Sequence, residues 1–321
     1  MNKTIRFILF NIFEIIKTFF IKMNEKQQGL IIILLSYIIS FCVGFFSYLY
    51  LNDSNILNNS DIDEKTRQLV IIFIANVIST IVIWLIGVLI NTASVYDPYW
   101  SVQTPVIYIC LLIKYKNLNV GNLIYLELIL FWAIRLTYNY TKTFHDISYI
   151  DWRYKQIKEV TGIFYQIINL LGICMVPTII VYAASIPSFL FIMDNINLEY
   201  IQLIGYIIIF FAILIEMKAD IDLHEFKRIR NNRNEIIRIG LWNYSRHPNY
   251  FGEICFWYGV SMVYIFCDFK KNWYFILGAV LNNALFLGIS IPLAENNLKK
   301  YKEGYDEYIK QTSKIIPIKF C

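Results

Sequence analysis

Gln68-Leu-Val-Ile-Ile-Phe-Ile-Ala-Asn-Val-Ile-Ser-Thr-Ile-Val-Ile-Trp-Leu-Ile-Gly-Val-Leu-Ile-Asn91 runs for 24 positions without a charged residue. As an α-helix it measures about 36 Å, enough to cross a hydrocarbon core of about 30 Å. Seven other apolar runs accompany it, at roughly 29–51, 101–113, 122–140, 163–183, 200–217, 251–267 and 273–294. The pattern predicts a polytopic, all-α integral membrane protein with eight spans. The third run is short and is expected to tilt, thin the bilayer or pack inside the bundle. The fifth stays apolar to about residue 193 and is interrupted by Pro177 and Pro187, which allows a re-entrant segment.

Composition supports this reading. Hydrophobic residues make up 57% of the 321-residue chain and charged residues 17%, against about 25% charged in a soluble globule. A net charge of +5 is too small to argue for nucleic acid. Six cysteines without a CxxC pair, and three histidines, argue against a metal site, so the cysteines read as packing residues. Glu14 and Lys17 interrupt the first apolar stretch, so the N-terminus reads as an amphipathic interfacial helix and not as a signal peptide. Basic residues concentrate before the first span, in 218–247 and after the eighth, which an even span count places together in the cytoplasm. Asn58-Asn-Ser60, in the opposite loop, is a potential glycosylation acceptor.

Polar residues that survive in such a chain are expected to serve a function. Gly240-Leu-Trp-Asn-Tyr-Ser-Arg-His-Pro-Asn-Tyr-Phe-Gly-Glu253 leads from a basic loop into the seventh span. Pro248 suits a first helical turn, and Arg246 and His247 precede a helix N-terminus with its unpaired N–H groups. That combination suits a phosphate or carboxylate, with Asn249, Tyr250 and Glu253 one turn on; interfacial anchoring explains the Trp, Tyr and Arg equally. Glu216, Asp220, His224 and Lys227 share a face at the end of the sixth span. Glu295 closes the eighth span, and the Tyr-rich tail beyond it is expected either to be solvated or to fold back over the cytoplasmic mouth. Arg135 lies in the fourth span with Glu127 eight residues earlier on a similar face, and Tyr138, Tyr140, His145 and Arg153 follow; Arg153 is a candidate phosphate ligand. Asp97-Pro-Tyr-Trp100 reads as a turn. No P-loop, HExxH or GxSxG is present in a usable context, and a Rossmann domain is excluded.

These segments, in this order, resemble the steroid 5-alpha-reductase-like membrane family, specifically its DUF1295 branch. The resemblance rests on 240–253, Asp97-Pro-Tyr-Trp100, Phe131-Trp-Ala-Ile-Arg135, Asp151-Trp-Arg-Tyr154, Glu216-Met-Lys-Ala-Asp220, Ile291-Pro-Leu-Ala-Glu295 and Gly304-Tyr-Asp-Glu-Tyr308. It covers about residues 68–321 and implies seven core spans, with residues 1–67 adding the interfacial segment and one extra span. It also implies an NADPH-dependent reductase of a carbon–carbon double bond in a steroid- or polyprenol-like lipid drawn from the bilayer. Asp220, Lys227, Arg246, His247, Asn249, Tyr250, Glu253 and Glu295 would then line the cofactor. One departure bears on the chemistry. Steroid reductases carry a Tyr three residues before an Arg as part of their acid, and here that position is Trp132, which cannot give the proton. Tyr138, Tyr140 and Glu127 are the alternative acids.

The wider superfamily includes isoprenylcysteine carboxyl methyltransferases with a similar Arg-His-Pro-x-Tyr segment, which would bring S-adenosylmethionine instead. A non-catalytic sterol-binding protein is the third reading. The resemblance implies the endoplasmic reticulum membrane for a eukaryotic source and the inner membrane for a bacterial one.

Overall fold

The computed structural model describes residues 23–54 and 62–318. The N-terminal segment read as interfacial and the Asn58 acceptor lie outside them. The described chain is helical, with one isolated bridge between Ser245 and Ser313. Six helices are long and apolar enough to cross a membrane: α1 (Glu25–Asp53), α2 (Glu64–Leu89), α4 (Val120–Thr143), α5 (Trp152–Met193), α6 (Tyr200–Ile229) and α8 (Phe269–Lys299). Two shorter helices, α3 (Tyr99–Tyr115) and α7 (Pro248–Ile265), cover the third and seventh runs. A short tail helix, α9 (Tyr305–Gln311), follows. Large apolar side chains such as Phe46, Ile134, Ile163 and Phe211 stand exposed on these helices, as expected where the surrounding solvent is lipid. The protein is an integral, multi-pass membrane protein.

The first helical stretch of α5 ends at Gly162, whose φ is +52°, and from there the described chain is helical to Met193 with no re-entrant hairpin. The prolines act more locally. A π-helical stretch, Asn169–Met175, precedes Pro177, and a second, Phe286–Ser290 in α8, precedes Pro292. A proline has no N–H to give and its ring crowds the carbonyl four residues back, so the turn before it widens.

The chain forms two compact units. The first takes α1, Ile71–Tyr99 and Tyr140–Val176. In it α1 meets α2 through Ser40 and Gly44, spaced four apart on one face. Ser40 Oγ donates to the Ser79 carbonyl at 2.7 Å and Ser79 Oγ returns a bond to Ser40 at 3.2 Å. A Cβ on Gly44 would collide with Ser79 Oγ; without a hydrophobic drive between helices in lipid, such small-residue contacts hold them together. Three phenols pin the turn before α3: Tyr37 donates to the Val95 carbonyl, Tyr140 to the Ser94 carbonyl and Tyr154 to Asp97.

The second unit takes Trp100–Asn139, Pro177 onward and the short segment Asp61–Val70. α7 is its centre, with Phe256, Trp257, Val260 and Val263 almost wholly buried. α6 packs on it through Gly205, Gly252 and Gly259, where backbone meets backbone. α4 joins through Tyr125, whose hydroxyl donates to the Val260 carbonyl at 2.6 Å. α3 joins α5 through Thr104 and Ser185, 3.1 Å apart.

Candidate functional site

The polar residues of the second unit gather into two knots along the first turns of α7. The outer knot begins at Gly240, whose φ of +51° suits glycine and whose Cβ would strike Asp222. From there Gly240–Asn243 makes one tight turn and the chain enters α7 with Pro248 in its first turn. Arg246 is buried. Its Nε donates to Glu295 Oε1 at 2.8 Å and its Nη1 to the carbonyls of Ile309 and Thr312 at 3.0 and 2.5 Å. His247 Nε2 lies 3.0 Å from the same Glu295 oxygen, and its ring stacks on Tyr250 at 5.4 Å. The tail is bound tightly here. Ser245 Oγ donates to the Ile315 carbonyl, the Arg246 amide to the Ser313 carbonyl, and the Tyr308 hydroxyl to the Trp242 carbonyl at 2.7 Å. Burial pushes the Tyr308 phenol up to about 12, so it stays a donor at any physiological pH. The tail therefore folds back over this end of the unit, as one of its two sequence readings has it.

The inner knot lies about a turn and a half deeper. Arg135 on α4 is 7% exposed; its Nη1 donates to Asp220 Oδ2 at 2.7 Å and its Nη2 pairs with Glu216. Glu253 accepts the Trp132 indole N–H at 3.0 Å on one oxygen and the Trp257 indole N–H at 2.8 Å on the other. Trp132 is stacked on Phe256, 4.7 Å between ring centres, and meets Trp100 edge-on at 5.8 Å. Gly252 lets Glu216 lie against α7, since a Cβ there would fall 2.4 Å from Glu216 Cγ. Glu216 and Glu253 are almost fully buried, and charges so placed persist only with partners.

The family model described as a protein of unknown function (DUF1295) matches residues 83–312, which include both knots. The chain belongs to the DUF1295 family. No curated protein and no solved structure matches it.

Within this DUF1295 chain, Arg246, His247, Tyr250 and Glu295 come together in one knot and Asp220 and Glu253 in the other. Asn249 is half-buried on the first turn between them. Lys227 is exposed, two turns beyond Asp220 on α6. His224 approaches Asn139 at 2.5 Å. Arg153 belongs to the first unit, where it pairs with Asp151 at 2.8 Å and lies 3.8 Å from Asp97. The three alternative acids fall outside both knots. Glu127 and Tyr138 are exposed on α4, because eight residues turn a helix by about 80° past a full repeat, enough to carry Glu127 off the buried face of Arg135. Tyr140 belongs to the first unit and gives its proton to the Ser94 carbonyl at 3.0 Å.

Gln103 is a residue that the sequence reading missed. It is 1% exposed on α3, and neither end of its amide finds a hydrogen-bond partner among the described residues. It follows Trp100 by three positions, so the two share a side of the helix. An uncharged polar residue in a short apolar run gave no charge signal, but its spacing from Trp100 could have drawn notice.

Proposed function

We propose that this protein is a membrane-embedded NADPH-dependent reductase of the steroid 5-alpha-reductase-like kind, acting on a carbon–carbon double bond in a lipid. The observation that carries this reading is the inner knot: a guanidinium, three carboxyls and two indole donors, buried where lipid-facing helices surround them. Such a group is expensive to keep in an apolar bundle and suits proton chemistry on an otherwise apolar substrate. The outer knot supports a cofactor mouth. The helix N-terminus and the stacked His247–Tyr250 pair suit phosphate and an aromatic ring. Asn249 adds an amide, and Lys227 a cation at the same end of the unit. NADPH would supply hydride; the chain's own groups position, exclude water and handle the proton. Arg246 has a second duty in this reading, because it fastens the tail as well as bordering the mouth. Gln103 offers both a donor and an acceptor to a polar group on the lipid. We extend the proposal to topology: α1 to α8 form eight crossings, seven of them core and α1 additional, with both knots on the cytoplasmic side.

Purified protein in mild detergent, heated with NADPH, S-adenosylmethionine or sterol, tests the reading. NADPH at a hundred times its Kd should stabilise the folded state by about 2.7 kcal/mol. Asn249→Ala should remove that shift and leave the melting point without ligand unchanged. Stabilisation by S-adenosylmethionine alone would replace the reductase with a methyltransferase, and by sterol alone with a lipid-binding protein.

A further inference from the structure

The inner knot does not balance its charge. Three carboxyls, Glu216, Asp220 and Glu253, share one guanidinium, Arg135, and all four are more than nine-tenths buried. Lys227, two turns along α6, is the next cation and is exposed. Isolated carboxylates in a low-dielectric interior are too costly to remain ionised without a counter-charge. A second observation agrees. Glu216 is 1% exposed, and its Oε1 has no hydrogen-bond partner among the described residues, nor has the Nε of Arg135. The knot thus has an open valence on both a donor and an acceptor. Glu253 differs: both its oxygens accept indole N–H groups, so neither is left without a partner.

We propose that the Arg135–Glu216–Asp220–Glu253 knot stores a proton at neutral pH, held on Glu216, and delivers it to the substrate as the double bond is reduced. This rests on the reductase reading. The β-carbon of a polarised alkene takes hydride from a dihydronicotinamide, the π electrons move to the α-carbon, and that carbon takes the proton. The Glu216 O–H bond breaks and is restored by a proton from water, so C=C becomes CH–CH and the dihydronicotinamide is oxidised. Gly252 is part of the device, because only a residue without a side chain leaves Glu216 its place against α7.

Infrared spectra of the purified protein at pH 7, in H2O and in D2O, test the store without any cofactor. Wild type should show the C=O stretch of a protonated carboxyl, shifted by deuterium, and Glu216→Gln should lack it. Retention of the band in Glu216→Gln, or its absence from wild type, overturns the assignment. Asp97→Asn, in the first unit, serves as the control variant and should keep the band. With NADPH, Glu216→Gln should retain the thermal shift and lose reduction by about a hundredfold or more, the usual contribution of a general acid. Full activity of this variant refutes the delivery step. If wild type shows the band but no NADPH shift, the reductase reading fails while the proton store stands.

Discussion

Replacing Arg135 with Met tests the inner knot most directly. Methionine matches much of the arginine stem and keeps the apolar packing on α4. What it removes is the charge that faces Asp220 at 2.7 Å and Glu216 beside it. Deleting one partner of a buried ion pair strands the other and costs about 3–5 kcal/mol. Arg135 holds the Asp220 carboxylate and the Glu216 carboxyl and is 7% exposed, so solvent cannot take over its role. The loss should therefore fall within that range, about 3–5 kcal/mol. Reversible chemical unfolding in mild detergent, followed by tryptophan fluorescence, provides the assay, since Trp132 and Trp257 both touch Glu253. The triple variant Arg135→Met, Glu216→Gln, Asp220→Asn removes the stranded Asp220 charge and the neighbouring carboxyl as well. It should return to within about 1–2 kcal/mol of wild type, because neutral replacement of a whole buried charge set is often tolerated. If Arg135→Met loses under 1 kcal/mol, or the triple variant is no more stable than the single one, the charges are not coupled as described.

Other consequences follow from particular contacts. Gly252→Val should prevent α6 and α7 from closing, because even a Cβ falls 2.8 Å from the Ala212 carbonyl; loss of a monodisperse gel-filtration peak checks this. Tyr308→Phe should cost about 1 kcal/mol, the worth of its bond to the Trp242 carbonyl, and should hasten proteolysis of the tail. Burial raises the Asp97 carboxyl from 3.8 to about 6, against the opposing pull of Arg153 and Tyr154. A folded-state value above the unfolded one gives stability that is full below about pH 4 and lost as pH rises through 6. Asp97→Asn should therefore flatten the stability profile between pH 4 and 7 and gain up to about 3 kcal/mol at pH 8, for a shift of about two units at 1.36 kcal/mol each; unfolding midpoints across that range measure it.

The helices were legible because lipid imposes a length and a polarity on every crossing, and both are properties of a continuous run of residues. Each apolar run lies in a helix for that reason, and the prolines at 177 and 292 follow π-helical turns without ending the helices. The site was legible only where a charge interrupted a run. Arg135, Asp220, Glu253 and Glu295 could be singled out because ionisable groups inside apolar sequence are rare. Their partners could not. Nothing in the spacing pairs Arg135 on α4 with Asp220, 85 positions later, or sends the Trp132 indole to Glu253 on α7. Helical periodicity orders residues within one helix, and the rotation of about 80° between Glu127 and Arg135 is enough to leave Glu127 exposed where a shared face was expected. Trp132 illustrates the difference. In the sequence it is a missing phenol. In the structure it is an indole donor that, with Trp257, holds Glu253 in place beside a guanidinium and two more carboxyls. The position that lacks an acid thus helps to fix a knot that contains three, and in the reductase reading this moves the search for the proton from α4 to Glu216 on α6.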